Sequence, residues 1–337
     1  MVILMSSLRR NRPLPRESKT RMLAPAKSTD SRLSDWSGVA KGKLVISIDL
    51  EAAWGVWDVL TPEQLRLAEE AERPICAALV DLFDRYQVPA TWAMVAALLH
   101  EPSAASRPGS TTCWYAPDII ARIVNAKAGH EIGSHSGRHI YFGQSTAAQA
   151  REDLEFARSI HRAHELPFTS FIFPRNAVAH LDVLAEVGLK VFRGNDVDWT
   201  AAARRMERHL GQAANLLDKM LPIPPSPVST RTCGTLTDVP ASMLLMGRNG
   251  LRRFVLPGVT RRKLRMGLDR IRRRGEIFHL WFHPSNFYYR RDEQLATLAW
   301  FLELAAEEAS RGEIEICTMG SLANASPERN PSARSAS

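Results

Sequence analysis

Short β-type runs that alternate with longer amphipathic helical patterns predict one α/β domain, built as a parallel barrel or a doubly wound sheet. Three observations carry this expectation. Seven or eight strand candidates are separated by segments of helical period. The chain of 337 residues, 45% of them hydrophobic, is long enough to bury a full core. Polar residues recur just after the strand candidates, and in both architectures ligands gather at the carboxyl ends of the strands.

Taken in order, residues 1–41 are rich in Arg, Ser and Pro, show no sustained apolar period and are expected to form a flexible basic arm. The first strand is read at 43–49 (KLVISID) and the first helix at 62–86, where Thr61 is an N-cap and Pro62 opens the first turn. Strand 90–95, helix 116–127, strand 130–135 and helix 146–164 follow. Strand 169–174, helix 178–187, strand 189–194 and helix 201–219 continue the alternation. A strand segment near 236–240, helix 260–274, strand 276–282, helix 291–310 and strand 313–319 complete it. Residues 42–322 are thus the expected folded domain, and 323–337, ending in PERNPSARSAS, a disordered tail. No internal repeat is visible.

Composition narrows the function classes. No run of about 18 apolar residues occurs, and the opening MVILM is too short for a signal-peptide core and is followed by arginines. The expectation is a protein that is neither secreted nor membrane-spanning. Cys76, Cys113, Cys233 and Cys317 lack any CxxC pairing, which disfavours a zinc ribbon or redox dithiol and suits small core residues in a reducing cytoplasm. The net charge of +8 is local. Residues 1–40 carry eight Arg or Lys against three acids, and residues 248–274 carry eleven against one, so the remainder is net negative.

The residues after the strands suggest chemistry. SIDLE places Asp49 and Glu51 two apart at the end of an apolar strand, where the period of two turns both carboxylates to one side. One could ligate a divalent cation while the other takes a proton from water; the competing reading is two solvated charges. HSGRH sets His135 and His139 four apart, close enough to chelate one cation, although that spacing also arises incidentally. His283 of FHPSN follows a strongly apolar strand and could protonate a departing amine, or be a core histidine with one hydrogen bond. Arg175 of FPRNA could hold Asp49 ionised, or form a surface salt bridge.

The order of SIDLEAAWG, ATWAM, HEIGSHSGRH, FIFPRNAV, VDW and HLWFHPSN resembles the successive motifs of the polysaccharide deacetylase family, the NodB-like carbohydrate esterases. The resemblance covers roughly residues 43–320 and implies a distorted (β/α)7-type barrel. It further implies His135, His139 and an acidic residue as ligands of a divalent metal, zinc by default, with Asp49 as general base and His283 as general acid. It makes Arg175 the residue that braces the base, and it groups Trp199 of VDW and Trp54 of the first motif as substrate-binding aromatics. Two departures stand out. Many members have two adjacent aspartates in the first motif, whereas the second position here is Leu50, so the ligand is expected to be Glu51 or Asp49 itself. The arginine also follows the proline of its motif rather than preceding it.

The implied activity is removal of an N-acetyl group from a sugar, glycan or carrier-linked sugar during surface polysaccharide synthesis. Hydrolysis of another C–N bond, in a cyclic amide or ureide, and a non-catalytic glycan-binding barrel are the alternatives. In residues 248–274, Leu264, Leu268 and Ile271 recur at helical spacing among the arginines, so one face can pack while the other stays cationic. That cationic face suits solvent, or the anionic inner surface of a membrane, or the diphosphate of a nucleotide-linked or lipid-linked sugar. Nucleic acid is disfavoured, since no nucleic-acid-binding motif accompanies the charge.

Overall fold

The structure, a computed structural model, describes residues 40–195, 221 and 223–323. The expected arm up to residue 39, the helix 201–219 and the tail beyond residue 323 lie outside the described residues, as does Trp199.

One sheet organises the domain. Its strands are β1 (Gly42–Leu50), β2 (Thr91–Met94), β3 (Glu131–Ser134), β4 (Ser170–Ile172), β5 (Val191–Arg193), β6 (Arg231–Cys233), β7 (Leu236–Asp238), β8 (Met243–Leu244), β9 (Ile277–Phe282) and β10 (Ile314–Cys317). They lie in the order β6-β7-β5-β4-β3-β2-β1-β9-β8. β1 pairs with β9 along one edge and shares its other edge between β10 at Gly42–Val45 and β2 at Ser47–Leu50. Every pairing is parallel except β6 with β7. The end strands β6 and β8 are not paired to each other among the described residues, so the barrel is distorted and open on that side.

The helices are α1 (Pro62–Tyr86), α2 (Glu101–Ala105), α3 (Pro117–Val124), α4 (Ala147–Ala163), α5 (Leu181–Glu186), α6 (Pro257–Arg274) and α7 (Arg291–Ser310). The expected start of α1 holds: Thr61 Oγ1 accepts from Gln64 N at 3.2 Å, and Gln64 Oε1 accepts from Thr61 N at 2.9 Å. α1 and α7 match their expected bounds, whereas most strands are one to three residues shorter than expected and β1 is longer. The unexpected elements β6, β8 and α2 have five residues or fewer, too few to display a hydrophobic period.

Alternation along the strands sorts the core into layers. Leu44, Ile46, Ile48 and Leu50 of β1 point outward into the large apolar cluster shared with α1, α6 and α7. Val45 points inward, with Val191 and Ile277, to an apolar layer inside the barrel. Ser47 and Asp49 continue that inward face of β1; Arg193 continues it on β5, and His279 and Trp281 on β9. The interior therefore changes from apolar to polar toward the carboxyl ends of the strands. Leu264, Leu268 and Ile271 of α6 are buried as expected. All four cysteines are free; Cys76, Cys113 and Cys317 are buried and Cys233 is half-buried.

Candidate active site

Five of the residues singled out in the sequence converge at the carboxyl ends of the strands. Glu51, His135 and His139 offer one ligand atom each within 4.8 Å of one another. Glu51 Oε2 lies 3.3 Å from His135 Nε2 and 3.1 Å from His139 Nε2. His135 Nδ1 is 2.9 Å from the carbonyl of Ile172, which can only accept, so Nδ1 carries the proton and Nε2 turns a lone pair toward the Glu51 carboxylate. A lone pair facing a carboxylate oxygen calls for a cation between them. Two imidazoles and a carboxylate, with the ring of one fixed by a backbone carbonyl, are the donor set and support of a hydrolytic zinc centre, and these residues fit one.

The local backbone is shaped for this convergence. Asp153 of α4 is buried and accepts from the amides of Gly137 at 2.6 Å and Arg138 at 2.8 Å, which folds the loop between the two histidines. That loop holds Ser136 and His139 at φ 77° and 58°, in the left-handed region. Gly133 lies in β3 rather than in a turn; a Cβ there would come within 2.5 Å of Ser170 Oγ inside the barrel. Gly55 makes room for the acid, since a Cβ on it would come within 2.1 Å of the Glu51 carboxylate.

Asp49 is held by Arg193, which was not among the expected site residues. The guanidinium grips both carboxylate oxygens at 2.6 Å and its centre lies 4.2 Å over the Trp281 ring. Arg193 also donates to Ser47 Oγ at 3.1 Å and to Asn176 Oδ1 at 2.9 Å. His279 completes the layer. Its Nδ1 lies 3.2 Å from the carbonyls of Val239 and Pro240, so that nitrogen carries the proton, and Nε2 accepts from the Ser47 hydroxyl at 2.9 Å. The network's hydrogens thus have a single direction. Burial, with Arg193 nearby, pushes His279 down to about 3 and keeps it neutral.

Electrostatics keep both acids ionised. Burial alone would raise Asp49, but Arg193 first, then His283 and His135, bring it below its ordinary value. Burial likewise opposes ionisation of Glu51, and His283, with the His135 and His139 rings beside it, holds it well below the usual carboxylate range. Burial chiefly lowers His139. His283 Nε2 stands 3.6 Å from Asp49 Oδ2 and 3.6 Å from Glu51 Oε1. Asn286 fixes its backbone by accepting from His283 N at 2.9 Å.

Two expected roles are corrected. Arg175 does not brace Asp49: it donates to Gly55 O at 3.1 Å and to Asp58 Oδ1 at 3.2 Å, and lies half-exposed on the wall of the cleft. Its motif reaches Asp49 through the next residue, since Asn176 accepts from Arg193, which grips Asp49. Trp54 does not face substrate: it is wholly buried, donates to Trp114 O at 2.9 Å and packs edge-on against that ring. Trp199 lies outside the described residues.

Asp49, Glu51, Arg175, Trp281 and His283 line a cleft of about 410 Å³. Glu51, Arg252, Ser285 and Asn286 also line an adjoining lobe of about 320 Å³ that runs toward Tyr288 and Tyr289.

The barrel and its cleft bring acids and imidazoles together at the strand ends. A family model, described as polysaccharide deacetylase, matches residues 69–191, which hold both site histidines but not Asp49, Glu51, Arg193 or His283. Within this segment the chain resembles the polysaccharide deacetylases in sequence. Two structures assigned by name to the polysaccharide deacetylases share the fold, one from Mycobacterium smegmatis with a TM-score of 0.61 and one from Pseudomonas aeruginosa PAO1 with 0.59. The Puue allantoinase aligns with a TM-score of 0.58. Each is 16% identical over 86% of this chain and 91% of its own. A comparison with curated protein sequences found no match.

Proposed function

We propose that the protein is a divalent-cation-dependent hydrolase that removes the acetyl group from an N-acetylated sugar or carrier-linked glycan precursor of a surface polysaccharide, in the cytoplasm. The observation that carries this reading is the meeting of Glu51, His135 and His139 within 4.8 Å, beside the Asp49–Arg193 pair and His283. Those three residues would hold the cation, with zinc the first choice for two imidazoles and a carboxylate. When bound, the cation supplies Lewis-acid polarisation of the acetamide carbonyl and a more acidic water. Asp49, kept ionised by Arg193, accepts the proton of the attacking water. His283 Nε2 faces the same space and donates a proton to the nitrogen as the C–N bond breaks, so that acetate and a free amine result. Asp49 and His283 line one cleft, and the adjoining lobe gives an extended ligand room beyond the reacting unit.

A second reading, hydrolysis of a cyclic amide or ureide, is favoured by Leu50, which is fully buried and leaves the first motif with only Asp49 and Glu51. It draws support also from the fold shared with an allantoinase. Elemental analysis of the purified protein beside a folded His139→Ala variant tests the common core of both readings. About one divalent cation per chain, lost in the variant, is expected; no cation after reconstitution refutes the mechanism. Release of acetate from N-acetyl sugars, set against turnover of cyclic ureides, then separates the two.

A further inference from the structure

The connection between β8 and α6 keeps large apolar side chains in solvent. Leu251, Phe254 and Leu256 are 67%, 57% and 67% exposed, while Val255 between them is buried and anchors the segment to the domain. The turn Gly250–Phe254 contains no buried residue at all. Arginines are interleaved with these side chains. Arg252 and Arg253 are exposed within the turn, and Arg262 and Arg265 are exposed on the adjoining α6. Arg252, Arg262 and Arg265 form no ion pair among the described residues, and the Arg253 guanidinium lies 4.9 Å over the Phe254 ring.

A merely solvated basic helix accounts for the arginines. It does not account for three large apolar side chains within six residues that lie mostly in solvent, because exposing them together is unfavourable in water. We infer that this segment is a docking tip for an anionic bilayer: Leu251, Phe254 and Leu256 enter the boundary between headgroups and acyl chains, and the surrounding arginines lie at the level of the lipid phosphates. Apolar tips ringed by arginine match both layers of such a surface. Nucleic acid would use the charge and could stack on Phe254, but offers nothing to Leu251 and Leu256. No helix among the described residues is long and apolar enough to cross a membrane, so the contact is peripheral. Arg252 lines the cleft as well as the tip, and docking therefore brings one rim of the cleft to the lipid surface.

The inference stands apart from the hydrolytic reading and is read on vesicles that contain no sugar. The full-length protein is mixed with phosphatidylcholine vesicles with and without about one third phosphatidylglycerol, and binding is measured by co-sedimentation. Because residues 1–40 are also basic, insertion of the tip is read separately through a Phe254→Trp reporter. A blue shift and quenching by brominated lipid beyond those of the wild type, which has eight tryptophans, are expected with anionic vesicles only. Leu251→Ser/Phe254→Ser/Leu256→Ser should weaken binding at least tenfold with unchanged thermal unfolding, as all three side chains already lie in solvent. Arg253→Gln/Arg262→Gln/Arg265→Gln should weaken it by about fivefold per charge removed. An unshifted reporter, full binding by the triple serine variant, or preference for duplex DNA over the vesicles would overturn the inference.

Discussion

Asp49 and Arg193 form the pair on which the site turns. Truncating a buried partner strands the other charge, so Arg193→Ala should destabilise the fold by about 3–5 kcal/mol. Arg193→Lys keeps the charge but not the two-pronged grip, and should slow hydrolysis on the order of 10²-fold, a scale typical of a misplaced general base. Arg175→Ala, by contrast, removes a half-exposed contact to Asp58 and should change stability by less than about 1 kcal/mol. Thermal unfolding and initial rates on the three variants check this ordering, and equal effects of Arg193→Lys and Arg175→Ala would contradict it. Gly55 offers a second test at this scale. A methyl group there meets the Glu51 carboxylate, so Gly55→Ala should weaken cation binding at least tenfold in a chelator competition while Asp49 keeps its partner.

At the scale of elements, α4 acts on the site without touching it. Asp153 holds the backbone of the His135–His139 loop through two amides, so Asp153→Ala should lower cation affinity about 10–100-fold. Rescue by Asp153→Asn, whose side-chain oxygen can still accept one of those bonds, would distinguish this role from general loss of folding. The same elements show what was legible in the sequence. Asp49, Glu51, His135, His139 and His283 stand at strand ends, and the period of two or four exposed their shared direction. Arg193 sits inside the expected strand 189–194, and period-two reading from Val191 would have turned it into the barrel; the FPRNA motif drew attention to Arg175 instead. Ser47 and His279 were harder to see, because a serine and a histidine within SIDLE and EIFHLWF look like breaks in apolar runs until the barrel closes around them. Asp153 carried no local signal: its importance arises only where α4 meets the loop. Trp54 had the right residue type in the right motif, yet its indole completes the packing beneath the cleft.

For the whole molecule, burial of titratable groups sets the response to acid. Burial pushes His130 and His161 down to about 4 and His279 down to about 3. The unfolded chain therefore takes up protons at these rings below about pH 6.5 while the folded chain does not, and their stabilisation is complete above pH 6.5 and lost as pH falls toward 4. Burial acts in the opposite sense on Glu72, raised to about 7, whose neutral form the fold prefers. His161→Gln should accordingly lose less stability than the wild type between pH 7 and 5, by on the order of 1–2 kcal/mol, and Glu72→Gln should lose more. Denaturant unfolding at the two pH values checks both signs. The hydrogen-bonded layer beneath the site has a consequence of another kind. His279 already gives its one proton to the carbonyls of Val239 and Pro240 and receives another from Ser47, and its protonation is suppressed. Charging His279 is disfavoured in such a layer, which makes it an insulating floor beneath Asp49: the cleft that Asp49 and His283 both line is the open route for the protons they exchange.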